Sequence, residues 1–124
     1  MEITIETLMP ERGQLRAAGS CTLGRANGVW HGEDLPVPFR MQVEIDIDDH
    51  DAITRTGFPP AFRISCSGNV NRVVGQVEST GDGMLSVRLG NDVFQLEVRQ
   101  SDRYRQGDWI RIETSELHLY PFLV

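Results

Sequence analysis

At 124 residues and 14.0 kDa the chain has the length of one domain. Area scaling at this mass leaves about 6,700 Å² exposed of roughly 20,000 Å² in the unfolded chain, enough burial for a core without staples. A make-up of 40% hydrophobic and 24% charged residues excludes a disordered or collagen-like chain, and no apolar run approaches the ~18 residues of a membrane helix. The formal net charge of −6 opposes general binding to a phosphate backbone, which depends on neutralising phosphates with basic groups.

Taken in chain order, the elements have a period of two. Ile3 and Ile5 alternate with Glu2, Thr4 and Glu6, predicting a first strand that ends at Pro10. Pro10 to Ala18 is one of two places, with Asp102 to Gln106, where a helical turn is plausible, each too short to stand alone. From Phe39 to Ile47 the odd positions Phe39, Met41, Val43, Ile45 and Ile47 are apolar and the even ones polar, which is a long strand with one buried face. Asp48 to Pro60 is the longest break and is expected to be a loop. Phe62, Ile64 and Cys66 alternate with Arg63 and Ser65, and Gly68-Asn69 marks a turn or bulge before the apolar run Val70 to Val77.

The joints Thr80-Gly81-Asp82-Gly83 and Gly90-Asn91-Asp92 supply residues that tolerate positive φ, so Val73 to Glu78, Met84 to Leu89 and Val93 to Arg99 form a three-stranded meander. After a short helical turn at Asp102 to Gln106, Ile110 and Ile112 alternate with Trp109, Arg111 and Glu113. Leu117 and Leu119 then alternate with His118 and Tyr120. Together these predict a single all-β domain over 1–124, a small OB-like antiparallel barrel or compact β-sandwich with about seven strands. Met41, Val43, Ile45, Leu85, Val87, Leu96, Val98, Ile110 and Ile112 are its expected core.

Charge is unevenly spread. His31 to Asp51 holds seven acids and one arginine, whereas Ala52 to Val77 holds Arg55, Arg63 and Arg72 and no acid. Every basic residue of the chain is an arginine, whose planar fork suits carboxylate, phosphate and aromatic partners. Cys21 and Cys66 lie far apart and have no companion ligands at zinc-site spacing. The start Met1-Glu2-Ile3-Thr4-Ile5-Glu6 lacks a secretory pattern, so a cytoplasmic location and free thiols are expected.

The stretch Val74-Gly75-Gln76-Val77, Leu85 to Gly90, Gly107-Asp108-Trp109-Ile110-Arg111-Ile112 and Leu117-His118-Leu119-Tyr120 resembles the TOBE-type oligonucleotide/oligosaccharide-binding (OB) modules appended to transporter ATPases. The resemblance covers about residues 73–120. It implies an OB-like barrel and carries no catalytic residue across. No Gly-x-x-x-x-Gly-Lys-Ser/Thr loop occurs, so nucleotide hydrolysis is not implied.

Asp46-Ile47-Asp48-Asp49-His50-Asp51 is the densest run of potential metal ligands. It lacks the glycine and the distal glutamate of a calcium loop, and a solvated strand end is the preferred reading. His31, His50 and His118 are the only histidines, and His118 is expected to be a partly exposed residue on the outward side of its strand. Ser65-Cys66-Ser67-Gly68 lacks the elbow of a hydrolase nucleophile. No catalytic residue, metal or cofactor is therefore assigned.

The candidate binding set is Arg99, Arg103, Tyr104, Arg105, Trp109 and Arg111, four arginines and two aromatics within 13 residues. Such a set suits a protein hot spot or the stacking platform of a single-stranded nucleic acid. The net charge favours a protein partner, with self-association as one form of it. A non-catalytic accessory module is expected, the alternative is a single-stranded nucleic-acid-binding OB-like protein, and a small hydrolase or lyase ranks third. No membrane association is expected.

Overall fold

The computed structural model describes residues 1–56 and 61–122. Among the described residues there are eleven strands: β1 (Glu2–Glu11), β2 (Gln14–Cys21), β3 (Gly24–Trp30), β4 (Phe39–Ile47), β5 (Ala52–Arg55), β6 (Arg63–Ser67), β7 (Val70–Gly81), β8 (Met84–Leu89), β9 (Asp92–Glu97), β10 (Trp109–Thr114) and β11 (Leu117–Pro121). The only helical element among the described residues is a single 3-10 turn at Ser101–Arg103. The all-β expectation therefore holds, while the count of about seven strands is too low.

Five strands close on themselves in the order β11-β4-β1-β2-β3, with β3 and β11 completing the ring as a parallel pair at Val29–His118 and Trp30–Leu119. Its interior is filled by Ile3 and Ile5 from β1, Val43 and Ile47 from β4, Trp30 from β3, and Leu117 and Leu119 from β11. The strands between the fourth and fifth ring strands continue the same hydrogen-bonded sheet beyond β3 as an open arm, the second sheet. There β6, β7, β10 and β5 run side by side, and β8 and β9 continue from β7. The buried residues of ring and sheet form one contiguous cluster that includes Val73, Val77, Leu85, Val87, Leu96, Ile110 and Ile112. Of the expected core, Met41, Ile45 and Val98 are only partly buried and pack at its margin.

The second side of β3 is shared along its length, and this is where sheet and ring meet. Gly24 pairs with Ile64 of β6, Val29 and Trp30 pair with β11, and Asn27 between them pairs with no strand on that side. The side chain of Asn71 fills the gap. Its Nδ2 donates to the Asn27 carbonyl at 2.6 Å and its Oδ1 accepts from the Asn27 N–H at 2.9 Å. Asn71 is fully buried, and its amide stands in for a stretch of strand backbone.

Three expectations are corrected. Pro10 to Ala18 is not helical: β1 runs on to Glu11 and turns through Arg12 (φ 52) and Gly13 (φ 78) into β2, a two-residue hairpin of the kind that needs left-handed residues. The predicted loop from Asp48 contains β5, which pairs with β10 from Ala52–Glu113 to Arg55–Ile110; residues 57–60 lie outside the described residues. His118 is on the outward side of its strand as expected, but it is buried at 6% exposure because β3, β4 and the turn before β11 surround it.

Candidate interaction face and histidine cluster

The registers divide the predicted binding set among separate places. Trp109 and Arg111 alternate with buried Ile110 and Ile112, so both lie on the outer face of the second sheet. Arg111 stands beside Val74 of β7, and Val74 beside Arg63 of β6. In the adjoining row Glu113 stands beside Arg72, and Arg72 beside Ser65. Trp109 is half-buried and packs on Phe62 with ring centroids 4.9 Å apart. The ring pair thus sits at the end of the row that carries Arg63 and Arg111, with Phe62 also packed against the core and Arg72 one row further along, which joins the acid-free stretch of the sequence to the β10 strand. Glu113 is the local counter-charge: its Oε1 lies 3.3 Å from Arg72 and 3.8 Å from Arg111. Such half-exposed pairs are worth little for stability and leave the arginines able to exchange partners.

Tyr104, Arg103 and Arg99 are elsewhere. They line a groove of about 960 Å³ together with Asp48, Asp49, His50 and Asp51 on one wall and Asp82 and Glu97 on another. Tyr104 packs at the margin of the core, with the Arg55 guanidinium 5.6 Å above its ring. Arg55 also donates to the Arg103 carbonyl and lies 3.4 Å from Asp108. Asp108 in turn accepts the Arg105 N–H at 2.9 Å, while the Arg105 side chain is exposed. The Arg55 contacts and the Asp108 cap hold the loop before β10 in place, so Arg103, Tyr104 and Arg105 belong to that loop rather than to the Trp109 face.

A second cluster was not legible in the sequence. On the outside of the ring His118 is flanked by Val29 of β3 and Asp46 of β4. Its Nδ1 lies 2.7 Å from His31 Nε2. Its Nε2 lies 3.1 Å from Asp48 Oδ2 and 3.6 Å from Glu116 Oε2. The Asp48 contact misses the angle of a hydrogen bond and leaves this buried nitrogen without a hydrogen-bond partner. His31 lies flat on Tyr120, with centroids 4.2 Å apart and planes 10° from parallel.

Partial desolvation, and then the nearby His118, hold His31 below the ordinary histidine range, against an opposing pull from Asp48. Burial, and then a hydrogen bond shared with Asp48, raise the Asp46 carboxyl. Among the described residues no three His, Cys, Asp or Glu side chains converge on a common cation position. Cys21 and Cys66 are free thiols, both half-buried. No helix of the described chain is long and apolar enough to cross a membrane. The chain matches no protein-family model, no curated protein and no solved structure.

Proposed function

We propose that the chain is a non-catalytic accessory module of OB-like architecture that docks a protein partner on the outer face of its second sheet. Numbering the ring strands β1, β2, β3, β4 and β11 as one to five, their order is 1-2-3-5-4, which supports an OB-type Greek-key barrel. That barrel is built from residues 2–47 and 117–121. The stretch that resembles TOBE modules contributes only its last strand to the ring.

The observation that carries the docking reading is Trp109, packed on Phe62, beside the row of Arg63 and Arg111, with Arg72 one row further on the same outer face. Tryptophan and arginine dominate protein hot spots, and three arginines against Glu113 suit a partner that surrounds an apolar side chain with carboxylates.

The nucleic-acid alternative is less well supported. Oligonucleotides bind OB barrels across the strand 2–3 face. Here the β6–β7 turn covers part of that face: Arg16 donates to the Asn69 carbonyl at 3.3 Å and Asn27 Nδ2 to that of Gly68 at 3.1 Å. The net charge of −6 opposes it further.

A peptide-display selection on the wild-type protein, counter-selected with Trp109→Ala/Arg111→Glu, tests the reading. Acidic peptides around an apolar residue are expected to be enriched. Trp109→Ala should weaken them at least about 30-fold, the equivalent of a 2 kcal/mol hot spot. Tight binding of oligo-dT with a steep salt slope would favour the alternative. A Trp109→Ala protein that binds the selected peptides as well as wild type would remove the proposal's basis.

A further inference from the structure

The histidine cluster takes no part in the docking face and has a chemistry of its own. Two imidazole nitrogens 2.7 Å apart require one proton between them, one ring donating and the other accepting. A neutral pair satisfies this, and so does a pair carrying one extra proton. A pair carrying two extra protons does not, because both nitrogens then donate and two cations face each other.

The charged groups around the pair are unevenly placed. Asp46 and Asp48 from β4 and its end, and Glu116 from the turn before β11, lie on the His118 side. Tyr120 of β11 covers the face of His31, and Glu33 lines the same groove. Arg16 of β2 stands across Val29 in the same row and is committed to Asn27 at 2.8 Å and to Asn69. Asp46, Asp48 and Glu116 therefore gather around His118, while His31 lies at the solvent-facing end of the pair.

His31 is also the more open member. It follows the last residue of β3 and is exposed to solvent, whereas His118 is built into β11. Between residues 31 and 35, two other hydrogen bonds tie the segment down: the His31 N–H donates to the Leu119 carbonyl at 3.0 Å, and Trp30 Nε1 donates to the Glu33 carbonyl at 2.9 Å. Under the segment runs a groove of about 630 Å³ lined by Trp30, Leu35, Met41, Tyr120 and Pro121.

We propose that His31 and His118 form a proton-operated latch. With at most one extra proton on the pair, their hydrogen bond holds the segment 31–35 against β11. The second proton breaks that bond, lifts His31 off Tyr120 and widens the apolar groove beneath.

The test is an imidazole ¹⁵N and ¹³C NMR titration of the wild-type protein from pH 8 to 4.5, with amide hydrogen exchange followed at each pH. The pair should take up its two protons in steps separated by at least about one pH unit. In the lower step the His31 ring signals should lose the upfield shift imposed by Tyr120. The His31 amide should then exchange at least roughly tenfold faster than the pH dependence of intrinsic exchange predicts, while the Ile112 amide stays protected. In His31→Gln, whose side chain is exposed and cannot titrate, this pH-dependent release should vanish. The latch is overturned if the two rings titrate independently, if the Tyr120 shift persists through the lower step, if Ile112 loses protection together with His31, or if His31→Gln retains the release.

Discussion

Replacing Asn71 tests how the second sheet is fastened to the ring. Asn71 is fully buried, and its amide makes two hydrogen bonds, at 2.6 and 2.9 Å, to the carbonyl and N–H of Asn27. Asn71→Leu keeps the branching but puts two bulkier methyls where the amide stood, so the loss combines overpacking with an Asn27 N–H left without its partner and an Asn27 carbonyl left with only the 3.5 Å bond from Arg16. Each unsatisfied buried group costs about 1–3 kcal/mol. Asn27 is only half-buried, so entering water offsets part of this, and a net loss of about 2–4 kcal/mol is expected. Asn71→Ala adds a cavity and should lose at least as much.

Urea unfolding followed by tryptophan fluorescence measures the change, with the slope checked against wild type to confirm that the extent of unfolding is the same. Hydrogen exchange at the Asn27 amide locates it. A loss below about 0.5 kcal/mol in Asn71→Leu, the ordinary range of a surface change, would refute the reasoning, as would an Asn27 amide protected as well as in wild type.

Gly24→Ala should prevent folding to soluble protein. Its φ is +136°, and a Cβ there would lie 1.9 Å from the Ile64 carbonyl oxygen, at the one backbone pair between β3 and β6 among the described residues; Gly13→Ala (φ +78°, open space) should cost about 1 kcal/mol, and thermal melts of the two variants compare them. Ile112→Ala should cost about 2–5 kcal/mol and Ile45→Ala clearly less, because Ile112 is fully buried between Val73 and Ile53 whereas Ile45 is at the margin of the core; urea midpoints decide.

Stability should also fall with mild acid through His31. Its proton affinity is lowered in the fold, so the unfolded chain binds a proton near pH 6.5 before the folded one does. The contribution is whole above that pH, is lost as pH falls through 6.5 towards the folded value, and then levels off. Asp46 acts in the opposite sense in the carboxylate range, because its raised affinity makes the fold bind a proton first. Urea midpoints at pH 7.5, 6.5 and 5.5 should decline in wild type and flatten in His31→Gln.

The elements visible from sequence were those whose hydropathy alternates strongly and whose turns use Asp or Asn with Gly. β4, β8, β9 and β10, and the Asp82-Gly83 and Gly90-Asn91 turns, are of this kind. β2 and β3 are not. Apart from Leu15 and Trp30 at one end, their inward positions are Ala17, Gly19, Ala26 and Gly28, which carry almost no hydrophobic signal. They are small because neighbouring strands approach too closely for side chains: a Cβ on Gly19 would sit 2.2 Å from the Thr4 carbonyl oxygen, and one on Gly28 would sit 2.7 Å from that of Leu117. Their hairpin to β1 turns on Arg12 in a left-handed conformation that arginine rarely adopts, so it gives no local cue.

Parity along a strand also gave the side of His118 correctly. Alternation reports a direction perpendicular to one strand and says nothing about what lies there. Parallel pairing with β3, which joins residues nearly ninety positions apart, places His31 on one side of His118. The curl of β4 and the turn before β11 place Asp48 and Glu116 on the other. The Trp109 face has the same origin, since the strand pairing β6-β7-β10 brings Arg63 and Arg72 beside Arg111. Which residues are polar, apolar or able to turn is local chemistry and is written in order along the chain. Which of them meet depends on ring closure and sheet order, set by non-local backbone pairing that leaves no periodic mark in the sequence.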